Sequence, residues 1–371
     1  MTFVSNTTNP RFIMVGGFLG AGKTTTISKL AQHFQSLGKR VVIVTNDQAA
    51  DLVDTLLLRS QGFDVGEVAG SCFCCNFNEL TRTIESLACD QRPDIILAEP
   101  VGSCTDLVAT VIRPLEQVYD IKFDISPYGV IIKPSHGFKI LGGSAGGFSP
   151  KAEYIFRKQL EESDFIIINR IDELTAEQTE KLISVLAAEY PGVPVVQMSA
   201  KTGAGFDTFC KLLDRPVEQQ RRQMDVDYDV YAEGEAELGW LNCQVNISSS
   251  EPTPMDASLM TILTRLYRRF VDVTAEIAHV KLIAMCDQGH AVGNVVSNSG
   301  GPVLSLASDA LSTQIHMAIN ARVAIDPDQL ADIVREVLND VSNAESLALD
   351  IAAIQFFRPG RPVPTHRITT G

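Results

Sequence analysis

The sequence has few basic residues for its length and lacks long apolar runs. Its 31 Lys and Arg stand against 45 Asp and Glu, which gives a net charge of -14. Affinity for phosphate backbones comes mainly from clustered Lys and Arg, so this balance argues against a nucleic-acid partner. No apolar run approaches the roughly 18 residues that span a bilayer, and residues 1–11 lack the build of a secretory signal. We therefore expect a cytoplasmic protein without a membrane partner.

The chain also lacks low-complexity tracts and internal repeats, and we do not expect its eight cysteines to form a disulfide framework. In a reducing compartment such cysteines are buried hydrophobes, metal ligands or reactive thiols. With 371 residues, of which 45% are hydrophobic, the chain is long enough to form two domains that each bury a hydrophobic core.

The hydrophobic pattern divides the chain into an N-terminal α/β half and a smaller α+β half. Residues 1–214 alternate short β-branched runs with helical periodicity, which is typical of a mostly parallel sheet covered by helices. The pattern predicts strands at 12–15, 41–45, 95–98, 129–132, 165–168 and 195–198, and helices at 23–35, 78–89, 151–161 and 176–189. Residues 215–237 are polar without a clear apolar period and predict a connector.

Residues 238–371 predict the smaller α+β domain. We expect strands at 240–247, 279–285, 302–307, 314–324 and 354–357, with helices at 256–273 and 327–341. The resulting order is βαβββαβ, or βαββαβ if two of the strands merge.

A glycine-rich loop from Gly17 to Thr24 matches G-x-x-x-x-G-K-T. It follows the apolar strand at 12–15 and opens a helix, which is the context in which this pattern binds phosphate rather than forming a plain turn. Lys23 would bridge the β- and γ-phosphates, and the Thr24 hydroxyl would bind Mg²⁺. The backbone N–H groups that would wrap the β-phosphate belong to Gly20, Ala21, Gly22, Lys23, Thr24 and Thr25.

The strand at 95–98 ends in Glu99-Pro-Val-Gly102. An acidic residue at the end of a strand near a phosphate loop holds Mg²⁺ through water or orients the attacking water. We therefore expect Glu99 to be catalytic and the Gly102 N–H to contact the γ-phosphate. The alternative, a solvent-exposed Glu after a strand, is disfavoured by the phosphate loop that precedes it.

The strand at 165–168 is followed by Asn169-Arg-Ile-Asp172. Asp172 would accept two hydrogen bonds from guanine, a pattern that adenine cannot match, and Asn169 would tie neighbouring loops together. Arg170 stands where a Lys is usual. The next strand end, Ser199-Ala200-Lys201, resembles the loop that closes over guanine. This order of features favours GTP over ATP.

Three cysteines, Cys72, Cys74 and Cys75, lie within four residues of one another. A turn at Cys75 would bring three thiolates together in a soft site suited to Zn²⁺ or another thiophilic ion. Two alternatives stay open, a redox pair formed by Cys72 and Cys75 and plain burial. Cys104 is predicted as a buried small residue, with a place near the nucleotide or in the metal shell as the alternative.

With the phosphate loop, the three cysteines, the Glu99 motif and the Asn169 motif in this order, the sequence resembles the CobW-like family of P-loop GTPases. That family is related to the hydrogenase and urease nickel-insertion GTPases. The family pattern G-F-L-G-A-G-K-T-T occurs at 17–25, C-x-C-C at 72–75 and the characteristic Glu at position 99. Typical members continue the second strand into Asn-Glu-x-Gly, whereas this chain has Asn46-Asp47-Gln48-Ala49. The resemblance therefore makes Asp47 the acidic switch residue with a catalytic role.

The resemblance implies a GTP-hydrolysing metallochaperone or cofactor-assembly protein that uses Mg²⁺·GTP. Its metal would be Zn²⁺ or another transition metal such as Co²⁺ or Ni²⁺, and its partner a client metalloenzyme or cofactor-assembly protein. A nucleotide-dependent homodimer is compatible with this reading. The alternative is a GTP-dependent activator that remodels a cofactor-bearing client, with metal binding incidental. An ATP-using kinase would need a hydroxyl-acceptor pocket, which the sequence does not indicate.

Overall fold

The structure, a computed structural model, describes residues 9–48, 53–89, 91–142, 149–216, 224–345 and 347–369. Residues 217–223 of the predicted connector lie outside these ranges. The first half of the chain forms a parallel sheet, whose strands are β1 (Arg11–Gly17), β2 (Val41–Asn46), β3 (Asp64–Val68), β4 (Ile95–Glu99), β5 (Asp124–Ile125), β6 (Gly129–Ile132), β7 (Phe165–Ile168) and β8 (Val195–Gln197).

Helices connect most of these strands, as expected where every pairing is parallel, and two more follow β8. They are α1 (Lys23–Ser36), α2 (Val53–Ser60), α3 (Phe77–Leu87), α4 (Arg113–Gln117), α5 (Pro134–Ile140), α6 (Pro150–Glu161), α7 (Ala176–Glu189), α8 (Phe206–Leu213) and α9 (Tyr228–Glu235). A π-helical turn at Val108–Ile112 precedes α4, and a 3-10 turn at Ile171–Glu173 follows β7.

The strand order β3-β2-β4-β1-β6-β7-β8, with β5 beside β1, places the phosphate loop at a topological switch point. The chain leaves β1 between β4 on one side and β6 on the other, and a crevice forms where the order reverses. Both sheet faces are covered: Phe12 and Met14 pack into one core, and Ile13 and Val15 into the other. Burial on both faces explains why these strands read as continuous apolar runs.

The second half forms a six-stranded antiparallel sheet in the order β12-β11-β10-β13-β9-β14. Two helices, α10 (Met255–Asp272) and α11 (Pro327–Glu345), contribute to its main core. The strands are β9 (Gly239–Pro254), β10 (Ile277–Cys286), β11 (Gly289–Val295), β12 (Val303–Leu306), β13 (Leu311–Val323) and β14 (Ala348–Phe357). This agrees with the predicted fold class, a P-loop α/β domain followed by an α+β domain.

Several elements differ from the sequence prediction. Strand β11 was not expected because two glycines interrupt its apolar pattern. It joins β10 through a two-residue hairpin in which Cys286 pairs with Gly289.

Within the predicted connector, residues 228–235 form α9, whose Tyr231 is fully buried. This helix has too few apolar residues for a clear period, and contacts with α6 support it instead. Strands β3 and β5 and helices α2, α4, α5 and α8 were also missed; the domain boundaries at 214 and 238 stay a prediction.

The two sheets meet through α2, which packs on the antiparallel sheet. Val53 of α2 shares a small core with Ile283 and Ala318, and its N–H donates to Asn320 Oδ1 at 2.8 Å. Beside this core, Arg322 Nη2 lies 2.7 Å from Asp47 Oδ2, and the guanidinium carbon lies 4.2 Å from the centre of the Trp240 ring. The second domain is therefore anchored on the segment that follows β2.

Replacing Arg322 by Ala is expected to destabilise the protein by about 3–5 kcal/mol, because it leaves the Asp47 carboxylate buried without its cation. Asp47 is 9% exposed and Arg322 1%, so water has little access to the carboxylate that remains. The measurement is the shift of the thermal unfolding midpoint.

The control is Lys39→Ala. Lys39 lies 3.9 Å from Asp94, and both side chains are exposed, so its loss should cost less than about 1 kcal/mol. Equal shifts for the two variants would contradict the structural role assigned to Arg322.

Candidate functional site

The phosphate loop has the backbone conformation that its glycines allow. Gly17 and Gly22 have φ of 136° and 98°. A Cβ on Gly17 would lie 2.2 Å from the Ile131 carbonyl oxygen, and one on Gly22 would lie 2.4 Å from Asn169 Nδ2. Only glycine fits at these two positions. Lys23 Nζ donates to the Gly17 carbonyl at 2.9 Å, which holds the ammonium over the loop.

Asn169 joins the phosphate loop to the loop after β8. Its Nδ2 donates to the Ala21 carbonyl at 2.8 Å, and its Oδ1 accepts from the Ala200 N–H at 2.9 Å. The bridge between neighbouring loops that the sequence predicts is therefore present. Ser199 is fully buried, and its hydroxyl accepts from the Thr202 N–H at 3.1 Å, which shapes the 199–203 turn.

The other predicted nucleotide residues lie around this bridge. Asp172 is exposed in the 3-10 turn after β7, where Arg170 adopts the left-handed conformation with φ of 59°. Lys201 and Thr25 are exposed. Their roles toward a guanine base or a phosphate stay predictions. Gly102 lies against the phosphate loop, since a Cβ on it would come within 2.9 Å of Lys23 Nζ.

Two carboxylates meet the Thr24 hydroxyl. Thr24 Oγ1 lies 2.9 Å from Glu99 Oε1 and is also hydrogen-bonded to Asp54 Oδ1. Glu99 is buried, and its Oε2 has no hydrogen-bond partner among the described residues. A hydroxyl with two carboxylates and one unpaired oxygen is a donor set that Mg²⁺ prefers.

Asp54, at the start of α2, was missed by the sequence analysis. The expected acidic residue was Asp47, but the structure pairs Asp47 with Arg322 and brings Asp54 to Thr24. The sequence could not choose between these two residues, because only the tertiary packing of α2 brings Asp54 to Thr24. A sequence signal did exist, since Asp54 falls in the first turn of an amphipathic run.

Lys281 of β10 forms an ion pair with Asp54. A cation of the second domain therefore lies next to the carboxylate that contacts Thr24. Burial opposes ionisation of Asp54, but the Lys281 ammonium outweighs it and lowers the pKa of Asp54 to about 2. Burial and the nearby Asp54 charge raise the pKa of Glu99 to about 7. One carboxylate is thus firmly ionised, while the other can exchange a proton near neutral pH.

Replacing Asp54 by Asn is expected to weaken Mg²⁺-dependent GTP binding by about 10–100-fold, the factor for a charge-assisted contact of roughly 1.5–3 kcal/mol. The matched variant Asp47→Asn keeps an oxygen for Arg322 and should change binding much less. Titrating a fluorescent GTP analogue with and without Mg²⁺ measures both. A larger loss for Asp47→Asn would restore Asp47 as the switch carboxylate.

The three cysteines form a compact cluster at the entry to α3. The Sγ atoms are 2.9 Å apart for Cys72 and Cys74, 3.2 Å for Cys72 and Cys75, and 3.6 Å for Cys74 and Cys75. Four thiolates around Zn²⁺ at about 2.3 Å would lie about 3.8 Å apart, so a small expansion admits the ion. Among the described residues, these three side chains form a group of Cys, His, Asp or Glu ligands whose ligand atoms all lie within 4.8 Å of one another.

A turn that begins at Cys72 gathers these thiols. The N–H groups of Cys75 and Asn76 both donate to the Cys72 carbonyl, at 3.0 and 2.9 Å, and α3 begins directly afterwards. A helix N-terminus favours thiolates. Hydrogen bonds from Cys104, Cys74 and Cys75 hold the pKa of Cys72 well below its usual range, so Cys72 ionises first.

Asn46, the last residue of β2, fixes the loop that carries the cysteines. Its Nδ2 donates to the carbonyls of Val68 and Ser71, at 2.9 and 2.8 Å, and its Oδ1 accepts from the Phe73 N–H at 2.8 Å. The sequence analysis gave Asn46 no role. An Asn at the end of a buried strand was the available signal, because a buried amide must find partners.

The C-terminal segment, residues 358–369, crosses the cysteine cluster. The Thr365 N–H donates to the Cys74 carbonyl at 2.8 Å, and the Thr365 hydroxyl donates to the Cys75 carbonyl at 3.0 Å. The Val363 N–H donates to Cys75 Sγ at 3.3 Å. Farther along, Arg367 Nε lies 2.6 Å from Asp106 Oδ2. Cys75, the least buried of the three thiols, is therefore partly covered by this segment.

Removing residues 361–371 is expected to raise the alkylation rate of Cys75 in reduced, metal-free protein by roughly 2- to 10-fold, the factor for one net hydrogen bond of about 0.5–1.5 kcal/mol. Mass mapping of labelled peptides resolves the thiols. Exposed Cys89 is the internal reference, since it lies outside the cluster. An unchanged Cys75 rate would show that the segment does not protect it.

None of the helices in the described ranges has the length and apolar character needed to cross a membrane. A family model described as CobW/HypB/UreG, nucleotide-binding domain, matches residues 11–197, half of the chain.

Several known proteins resemble the chain. The zinc chaperone YeiR of Escherichia coli is 29% identical over 172 residues, covering 46% of this chain and 49% of YeiR. The zinc chaperone CobW of Sinorhizobium is 28% identical over 192 residues, covering 44% and 51%. The urease accessory protein UreG of Metallosphaera sedula is 26% identical over 220 residues, covering 55% and 93%. The match thus spans about half the length of the two zinc chaperones.

Proposed function

The chain belongs to the CobW/HypB/UreG family of P-loop GTPases, and we propose that it binds and hydrolyses GTP to control a metal ion held by Cys72, Cys74 and Cys75. The metal is cargo, delivered to a client metalloenzyme or cofactor-assembly protein. Zn²⁺ is the first candidate because the chain resembles two zinc chaperones.

The observation that carries this proposal is the sharing of chain segments between the phosphate site and the thiols. Asn46 ends the strand beside β4 and holds the cysteine loop through three hydrogen bonds. Glu99 ends the neighbouring strand β4, and both Glu99 and the Gly102 that follows it lie at the phosphate loop. Cys104 comes two residues after Gly102. A change at the γ-phosphate would therefore reach the cysteine loop through the hydrogen bonds of Asn46, and Cys104 through the short chain segment that follows Glu99.

The residues at the phosphate site suggest how hydrolysis would proceed. Lys23 would give up its hydrogen bond to the Gly17 carbonyl and contact phosphate oxygens instead. Asn169 would keep the phosphate loop and the loop after β8 in fixed relative positions. Mg²⁺, held by Thr24 with Asp54 and Glu99 nearby, would neutralise developing phosphate charge. Glu99, with a pKa raised to about 7 by burial and Asp54, can take a proton from or orient the attacking water.

The second domain would take part in this switch. Lys281 pairs with Asp54, the carboxylate that Mg²⁺ would also attract, so metal-nucleotide binding competes with an interdomain ion pair. Gly20 also faces the second domain, since a Cβ on it would lie 3.2 Å from Val296 Cγ1. Binding and hydrolysis can thereby shift the two domains between discrete arrangements. A nucleotide-dependent homodimer and a cytoplasmic location stay predictions.

A GTP-dependent activator is the second candidate, and the edge of the antiparallel sheet favours it. Val303 and Leu306 of the edge strand β12 are 50% and 38% exposed. Large apolar side chains exposed at a sheet edge suit docking to a client. Replacing the three cysteines by Ser separates the candidates, because an activator would still activate its client and a metal carrier would not.

The Zn²⁺ affinity of the full chain is expected to differ between the GTP-analogue and GDP states by about 5- to 150-fold, the usual size of coupling between two sites. Competition titration with a chromophoric chelator measures it, with nucleotide-free protein as the third state.

The triple Ser variant is the control and should lose the zinc while keeping nucleotide binding. Equal affinities in the three nucleotide states would refute the coupling, and absence of zinc binding by the unchanged protein would refute the carrier role altogether.

A further inference from the structure

One face of the antiparallel sheet meets the first domain with polar side chains. Lys281 of β10 lies opposite Asn320 of β13, and two residues away His279 lies opposite Arg322. Residues two apart on a strand share a face with those directly opposite them, so these four side chains lie together. Asn320 and Arg322 contact the segment that follows β2, whereas the residues that alternate with them belong to the main core of the second domain. Lys281 is therefore on the face that meets the first domain.

This part of the second domain also borders the phosphate loop. A Cβ on Gly20 would lie 3.2 Å from Val296 Cγ1 and 3.7 Å from the Ala278 carbonyl oxygen. The Lys133 ammonium donates a hydrogen bond to the Val296 carbonyl, which ties the same segment to the first domain. Ala278 belongs to β10, three residues before Lys281. The strand that carries Lys281 therefore passes beside the loop that would hold the phosphates.

The Lys281 ammonium lies close to the Thr24 hydroxyl. Asp54 Oδ1 is hydrogen-bonded to both groups. Two hydrogen bonds that share one oxygen hold their outer atoms within about 6 Å of each other. Thr24 is the expected Mg²⁺ ligand, and the preceding Lys23 is the expected partner of the γ-phosphate. Lys281 is thus positioned at the end of the site where the γ-phosphate would bind, and its side chain is only 16% exposed.

The ion pair between Lys281 and Asp54 can be exchanged for a phosphate contact. Asp54 and Glu99 would turn to Mg²⁺, a doubly charged ion that prefers carboxylate oxygens, when the nucleotide binds. The triphosphate would bring new negative charge to the same place. A lysine carries a compact charge on a flexible stem, so the ammonium can move from Asp54 to a nearby phosphate oxygen while β10 stays in place.

We infer that Lys281 is a catalytic cation that the second domain supplies to GTP hydrolysis. This inference rests on the proposed function. In the reaction a water oxygen bonds to the γ-phosphorus, and the bond from that phosphorus to the β–γ bridging oxygen breaks. GDP leaves with the electron pair, one water proton departs through Glu99 to solvent, and the other stays on the released phosphate.

The charge that develops on the phosphate oxygens during this step gives Lys281 its role. A fixed cation in a site with little water stabilises such charge more strongly than it stabilises the ground state. Hydrolysis would then depend on the contact between the domains, because withdrawal of β10 would remove the cation. A simpler alternative is that Lys281 only holds Asp54 in position.

Kinetics of the full chain at saturating GTP and Mg²⁺ test the inference. In Lys281→Met we expect kcat to fall by about 100- to 1000-fold, the usual loss for one group that stabilises transition-state charge. The affinity for a fluorescent, non-hydrolysable GTP analogue should change little. Binding of GDP with aluminium fluoride, which imitates the transferring phosphoryl group, should be lost in Lys281→Met and largely retained in Lys281→Arg.

Two further variants make the result specific. Lys281→Gln keeps a hydrogen-bond donor for Asp54 without the charge, so it should show the same losses even if Lys281→Met folds poorly. The matched control is Lys139→Met. Lys139 of α5 lies 3.5 Å from Glu276, so this variant also removes an ion pair between the domains, but one that does not involve Asp54. It should keep both kcat and the binding of GDP with aluminium fluoride.

An unchanged kcat in Lys281→Met and Lys281→Gln, or a loss that excess Mg²⁺ restores, would overturn the inference. Lys281 would then only position Asp54, and the proposed function would stand. Failure of the unchanged protein to bind and hydrolyse GTP would overturn both.

Discussion

The register of β2 against β4 sets the relation between the two candidate sites. Thr45 pairs with Glu99, so the segments that follow these strands leave the sheet side by side. Parallel strands present their carboxyl ends at one edge. One segment continues through Asn46 to the cysteine loop, and the other runs from Glu99 through Gly102 to Cys104. The phosphate site and the thiols are therefore two ends of the same pair of loops.

The second domain adds charge to this edge. Arg322 reaches Asp47 and Lys281 reaches Asp54, so two of the acidic residues that follow β2 are paired across the domain contact. Burying ions costs desolvation energy, and such pairs rarely add much stability beyond what an apolar contact would give. In the proposed function, a cation that competes for Asp54 would weaken its pair with Lys281 and so loosen this domain contact. This is the behaviour expected of a switch that Mg²⁺·GTP operates.

The thiol site is covered from outside and supported from inside. The C-terminal segment contributes backbone donors to Cys75 and to the Cys74 carbonyl, while α9 and Gln159 hold the loop of Cys104. Access to the metal would therefore require movement at the surface.

The sequence by itself determined the phosphate loop, the order of the motifs and the class of both domains. These features depend on local physics: glycine where the backbone turns tightly, continuous apolar runs where a strand is buried on both faces, and three thiols within one turn. The Asn169 bridge was also predictable, because it belongs to a compact motif at a strand end.

Only the tertiary structure decided which side chains complete the sites. Lys281 is 227 residues from Asp54, and the segment at Val363 is 288 residues from Cys75. No periodicity or spacing encodes such contacts. Asp54 replaced Asp47 at Thr24 for the same reason, since α2 and its packing on the antiparallel sheet fix that position. Glu235 looked like an ordinary residue of the predicted connector, and its burial against Ser103 depends on how α9 packs.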